Sequence, residues 1–213
     1  MSEETKKELE RLMLKYRAAL KTLETQISIL IQDFEQKNNY NPVEHVKSRI
    51  KKLESAENKL ISRNYEVTIE NIEKHVHDMV GVRIVCAFLS DVYKIIEMIE
   101  NSETIEVYAK KDYISHPKES GYSSYHLLVY VPVYLLDGKV MIEAEIQIRT
   151  LAMDFWASLD HKIRYKFAGA VPKEVKDNMY KCAIDINDLD HKMLILNDRM
   201  QVYKEDQENE EHS

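Results

Sequence analysis

Apolar and polar residues alternate along Val140–Thr150, with Ile142, Ala144, Ile146 and Ile148 on one side and Glu143, Glu145, Gln147 and Arg149 on the other. A period of two puts successive side chains on opposite faces of an extended chain, so this stretch reads as a strand with one apolar and one polar face. The apolar face must be buried by other elements. The polar face follows closely on Gly121-Tyr122-Ser123-Ser124-Tyr125-His126-Leu127. Together they suggest a polar site built on a sheet, with a carboxylate for a metal or a proton and a Tyr and a His for a ligand.

The rest of the chain reads as helices around such a sheet. Residues 4–37 form a long helix with a heptad stripe of Leu9, Met13, Tyr16, Leu20, Leu23, Ile27, Leu30 and Phe34. Asn41 as N-cap and Pro42 at the first position start a second helix, 42–63. Thr68 caps a short third helix to 77, and Ser90 caps a helix over 91–101. Strands are expected at 80–89, 104–111, 124–133 and 140–149, the last two joined by an Asp137-Gly138 turn. Thr150 caps a helix to 167. A last helix, 172–204, carries its own stripe from Val175 through Leu189, Met193 and Leu196 to Tyr203. The two stripes either pack on each other or the sheet, or form a subunit interface. The acidic end, 205–213, is expected to be frayed or disordered. Residues 1–204 are read as one domain with a core at 40–170. The fold class is α+β, a mixed, mainly antiparallel sheet flanked by helices, with long helices at both ends.

A formal net charge of −7 disfavours RNA or DNA as the main ligand. Cys86 and Cys182 lie far apart on apolar patterns, which fits a reducing cytoplasm and no disulfide framework. No apolar run is long enough to span a membrane.

Several groups could carry chemistry. Lys51, Ser55 and Lys59 lie four apart and share a helical face, a row of donors suited to an extended polyphosphate or a solvated basic face. Asp78 precedes the buried strand that starts at Val80, a common place for a magnesium ligand, and Arg83 within that strand needs an anion or an aromatic plane. His77-Asp78 also resembles the dyad of metal phosphohydrolases, but the further His and Asp ligands are missing. Lys118, Tyr122 and His126 could hold a base and its phosphates. There is no Walker A loop, dinucleotide fingerprint or nucleophile elbow, so side chains would have to hold any nucleotide phosphates.

The segments Lys47–Lys51, His77–Ile84, Lys111–Ile114, Gly121–Leu127 and Glu145–Thr150, taken in this order, resemble the RelA/SpoT-type (p)ppGpp synthetases. Ala152–Ala157, Asp160-His161 and Tyr165-Lys166 extend the likeness over about residues 40–170. The chain has no room for the hydrolase and regulatory domains of the long enzymes. It resembles a stand-alone small alarmone synthetase, nearer the RelP-type than the RelQ-type branch. The resemblance implies a nucleotidyltransferase-like fold, frequent homotetramers, and transfer of the β,γ-pyrophosphate of ATP to the 3′-hydroxyl of GDP or GTP. It implies that Arg49 and Arg83 sandwich adenine and that Lys51, Ser55 and Lys59 hold the phosphates. Asp78 and Glu145 would hold Mg2+, with Glu145 also taking the 3′-hydroxyl proton. Tyr122 would stack on guanine, Lys118 and His126 would lie near the acceptor's phosphates, and Asp154 would read the guanine N1 and N2 donors. Gln147 and Arg149 would orient the polar face. The chain departs from the family at Ser123, where many members have Arg or Gln, and at Ala109, where Lys110 is the expected substitute for a basic residue. Asp160 stands where Glu is usual.

Two rival readings share the fold. One is a pyrophosphokinase acting on the 3′ end of tRNA, which would need a basic surface. The other is a non-catalytic nucleotide- or RNA-binding regulator, which would be expected to have lost Asp78 or Glu145.

Overall fold

The computed structural model describes residues 3–165 and 171–211. Helix α1 (Glu3–Asn38) leads into strand β1 (Val43–Ile50), helices α2 (Leu53–Ser62) and α3 (Ile69–His75), strand β2 (Val80–Cys86) and helix α4 (Leu89–Glu100). Strands β3 (Glu106–Asp112), β4 (Tyr125–Leu135) and β5 (Gly138–Thr150) follow, then helices α5 (Leu151–Tyr165) and α6 (Lys173–Glu211). The five strands form one sheet in the order β1-β2-β5-β4-β3. All neighbours are antiparallel except β2 and β5. This is the expected mixed sheet.

The alternation along β5 sets the sheet's two faces. Ile142, Ala144, Ile146 and Ile148 are buried together with Val82, Ile84, Leu127 and Val129 of the flanking strands. Helix α1 covers this face with Leu12, Tyr16, Ala19, Leu23, Ile27 and Ile31. Only Tyr16, Leu23 and Ile27 of the expected heptad stripe are fully buried. A helix lying on a sheet buries a wider stripe than a coiled-coil seam does, so Leu12, Ala19 and Ile31 join them.

The main correction concerns residues 42–50, which form an edge strand where a helix was expected. Asn41 turns the chain with its side-chain carbonyl, which accepts from Val43 N at 2.9 Å, so its capping chemistry starts a strand. Pro42 suits the residue before a strand as well as a helix start. The segment then ladders antiparallel with β2 from Val43↔Cys86 to Ile50↔Val80. Its Lys and Arg side chains suit a sheet edge, where charge discourages further pairing. The predicted helix survives only as α2, which buries Ala56 and Leu60.

Other boundaries divide similarly. Thr68 caps α3 by accepting from Asn71 N, and Thr150 accepts from Met153 N at the start of α5. Helix α4 begins at Leu89 with Phe88 at the N-cap, two residues before the expected Ser90 cap. The expected end of the α5 helix at 167 lies outside the described residues. Helix α6 continues through the segment expected to fray, to Glu211. Glu, Gln and Lys there are good helix formers, and a helix already running propagates at little cost.

The α6 stripe stays largely unpartnered. Ala183 and Asp190 are buried, whereas Leu189, Met193, Leu196, Met200 and Tyr203 are about half exposed or more. The helix therefore buries a neighbouring face and presents the predicted seam to solvent. No helix among the described residues is long and apolar enough to cross a membrane.

Candidate active site

Strand register assembles the polar face. Lys47 pairs with Arg83, Arg83 with Gln147 and Gln147 with His126, forming one transverse row. The next row runs Arg49, Gly81, Glu145 and Leu128. Directly paired residues share a face, so the rows bring basic groups from the β1 edge up to Glu145 and His126. Gly81 leaves a gap between Arg49 and Glu145. A Cβ there would meet nothing nearer than Arg49 Cγ and O, at 3.9 Å. The gap floors a cleft of about 250 Å³ lined by Arg49, Asp78, Arg83, Glu145 and Gln147, among others.

Asp78 stands at the entry to β2. Lys51 Nζ donates to one of its oxygens at 2.9 Å, and Lys59 Nζ to the other at 2.7 Å. Burial alone would raise its pKa, but the hydrogen bonds from Lys59 and Lys51 outweigh it and hold the carboxyl at about 2. Lys51 lies before α2, where its backbone N–H donates to Met79 O at 2.8 Å. The two lysines thus converge without sharing a helix. Ser55 is exposed on the first turn of α2.

Glu145 projects from the middle of β5. His126 Nδ1 lies 2.8 Å from one oxygen, and Gln147 Nε2 donates to the other at 2.9 Å. Burial pushes its pKa up, but the bonds from His126 and Gln147 prevail and the net shift is downward. His126 Nε2 lies 2.9 Å from the Tyr122 hydroxyl, which accepts from Arg149 Nη2 at 2.6 Å. A continuous order of donors is available, from Arg149 to Tyr122, from Tyr122 to Nε2, and from Nδ1–H to Glu145. Lys118 Nζ lies 4.9 Å from the Tyr122 ring centroid and 4.6 Å from that of Tyr113.

Arg149 ties this chain to the donor side. It is buried, and it also donates to Gln147, to Ser124 and, from Nη1, to Asp154 Oδ1 at 3.2 Å. Arg83 Nη1 reaches the same Asp154 oxygen at 3.1 Å, and His45 Nε2 stands 4.0 Å from the other. Arg83 Nε is buried without a hydrogen-bond partner among the described residues. A second hollow, of about 680 Å³, runs from Arg49 and Arg83 past Tyr122 to α5.

Residues 48–170 match the region found in RelA / SpoT proteins. The chain belongs to the RelA/SpoT family. It is 44% identical over 182 residues to GTP pyrophosphokinase YwaC of Bacillus subtilis, covering 85% of this chain and 87% of that one. It is 35% identical over 187 residues to GTP pyrophosphokinase YjbM of the same organism, with 88% and 87% covered. Small alarmone synthetase 1 from Bacillus subtilis, bound to its product pppGpp, superposes with a TM-score of 0.84 at 33% identity, over 92% of this chain and 99% of that one. Small alarmone synthetase 2 from the same organism gives 0.81 at 42% identity, with 90% and 98% covered.

Against this family, the structure brings Arg49, Lys51, Lys59, Asp78, Arg83 and Glu145 to one cleft, and Lys118, Tyr122 and His126 to its far side. Asp154 is already engaged by two guanidinium groups. Lys110 is no substitute at the site. It pairs with Leu127 on the core side of the sheet and meets Glu100 at 2.6 Å, while Lys111 is the residue opposite His126. Sequence reasoning gave Arg149 too small a part and missed His45. An Arg on the polar side of a half-buried strand is a usable signal for the first. His45 was hidden by the reading of its segment as helix.

Proposed function

We propose that this chain is a (p)ppGpp synthetase, transferring the β,γ-pyrophosphate of ATP to the 3′-hydroxyl of GDP or GTP and releasing AMP. One observation carries the reading. Two ionised carboxylates, Asp78 and Glu145, line one cleft that has an arginine and lysine side for a donor and a Tyr–His side for an acceptor. The matched relatives carry the name GTP pyrophosphokinase, and one solved neighbour holds pppGpp.

In this reading Arg49 and Arg83 face the adenine, and the unpartnered Arg83 Nε is a donor left for ligand. Lys51, Ser55 and Lys59 serve the phosphates. The lysines now neutralise Asp78, so an arriving polyphosphate takes over their charge and frees the carboxylate. Tyr122 stacks on guanine, with Lys118 and His126 near the acceptor phosphates. Asp154 holds Arg83 and Arg149 in place and is within the same polar cluster as the guanine site proposed for it. Glu145 accepts the 3′-hydroxyl proton as the oxygen attacks the β-phosphorus. The bond from that phosphorus to the bridging oxygen breaks, and AMP leaves with the oxygen.

Oxygen ligands at Asp78 and Glu145 fit Mg2+, which binds through one or two carboxylates plus substrate phosphates. The ion would neutralise charge on the transferring group. We place the enzyme in the cytoplasm, in the stringent response, nearer the RelP-type than the RelQ-type branch, and as a homotetramer. The exposed α6 seam supports assembly.

The test is incubation with γ-labelled ATP, Mg2+ and GMP, GDP or GTP separately, with products resolved by anion exchange. AMP release matched to a more highly phosphorylated guanosine nucleotide is expected. No transfer to any of the three, from folded protein that binds ATP, would overturn the reading.

A further inference from the structure

The loop that carries Tyr122 rests on the C-terminal helix. Gly121 has φ of 87°, a left-handed conformation that glycine adopts without strain. A Cβ built on it would lie 2.4 Å from Cβ of Ala183 on α6, 3.5 Å from Tyr180 and 3.7 Å from Trp156. The backbone therefore sits against the Ala183 methyl with no space between them. The same loop is closed on itself, since Gly121 N donates to Lys118 O at 2.8 Å and Lys118 N to Tyr122 O at 3.1 Å. Any displacement of Gly121 carries Lys118 and Tyr122 with it.

Helix α6 is fixed on either side of this contact. Trp156 Nε1 donates to Met179 O at 3.1 Å, and Thr150 Oγ1 to Asp190 Oδ2 at 2.6 Å. Ala183 lies between these two anchors. A small, largely apolar pocket of about 80 Å³ opens beside it, lined in part by Pro117, Gly121 and Ser123 of the loop. With α6 held on both sides of the contact, a larger side chain at position 183 displaces the loop.

We propose that Ala183 is a positioning residue for the acceptor nucleotide. Its methyl group sets the height of the Gly121 turn, and through it the placing of the Tyr122 ring and the Lys118 ammonium. This rests on the reading of Tyr122 and Lys118 as acceptor residues. The donor residues lie on or beside β1, α2 and β2 rather than on this loop, so the acceptor is the substrate that responds first.

The experiment is a graded series, Ala183→Gly, Ala183→Ser, Ala183→Val and Ala183→Leu, with KM and kcat measured separately for each nucleotide. The acceptor KM should rise with side-chain volume, by about tenfold at Leu, while kcat at saturation and the ATP KM stay within about twofold. Ala183→Ser should behave as wild type. Fluorescence of Trp156, the chain's single tryptophan, titrated with GDP, should show the same ordering in the absence of turnover. An acceptor KM that is flat across the series, or an ATP KM that rises in parallel, would overturn the inference. If Ala183→Leu does not fold, the Ser and Val steps decide alone. Failure of the acceptor reading is distinct, because wild-type protein would then transfer to no guanine nucleotide.

Discussion

The imidazole Nδ1 of His126 lies 2.8 Å from a carboxylate oxygen of Glu145. A proton donor in that position stabilises the ionised carboxylate against its own burial. Replacing His126 with Phe removes the donor and leaves the burial, so the Glu145 pKa rises. The acid limb of the pH–kcat profile should move to higher pH, with kcat down by about 10²-fold at neutral pH. Gln147→Ala should shift the limb the same way but less. An unmoved acid limb in His126→Phe would remove Glu145 from the role of base.

Asp154 separates two roles by kinetics. As a clamp on Arg83 and Arg149, its replacement by Asn should raise the KM for both ATP and the acceptor. As a contact to guanine alone, it would raise only the acceptor KM. Leaving the buried Arg149 and the partly exposed Arg83 without their carboxylate should also cost about 3 kcal/mol of stability, read by urea denaturation.

Asp78 should make stability acid-sensitive. Its folded pKa of about 2 lies below the ordinary carboxylate value, so the unfolded chain binds its proton first as pH falls. The resulting stability, about 2 kcal/mol, is present above about pH 4 and is lost as pH falls toward 2. Asp78→Asn should abolish that part of the pH dependence in equilibrium unfolding.

Asp190 should do the opposite. Burial raises its pKa, which the bond from Thr150 and the charge of His191 only partly offset. The native state therefore holds the proton more tightly than the unfolded chain, and stability falls as pH rises from the unfolded value through the folded one. Asp190→Asn keeps an acceptor for Thr150 and avoids the buried charge. It should be neutral or stabilising at pH 7 in thermal denaturation. A clear loss of stability would mean that the charge itself is needed.

The exposed α6 seam gives the assembly test. Leu196→Glu places a charge amid Met193 and Met200. It should lower the mass measured by analytical ultracentrifugation without changing the circular dichroism spectrum. An unchanged mass would move the interface elsewhere.

Strict alternation made β5 legible because one of its faces is buried and the other carries the site. Capping chemistry made α3 and α5 legible at Thr68 and Thr150. Strand β1 was not legible. Its edge position needs no apolar alternation, and Asn41-Pro42 opens strands and helices alike. The exposed stripe of α6 was visible, but no periodicity says which of two adjacent faces a helix buries. Within the site, Asp78, Glu145, Tyr122 and His126 stood out as chemical groups. The network through Arg149 depends on register across β2, β5 and β4, which pairs residues distant in the chain.

The parallel pairing of β2 with β5 has an evolutionary consequence. The residues proposed for the donor come from one continuous stretch, 49–83, and those for the acceptor from another, 118–154. The two stretches are joined edge to edge at this seam. Everything between them, α4 and β3 included, lies outside the line where they meet. Apart from Asp154, whose carboxylate bridges the seam to Arg83, substitutions in either stretch can therefore retune the choice of one nucleotide while leaving the other half untouched. A lineage could drift among acceptor purines or acceptor chain lengths without relearning how to grip its phosphate donor.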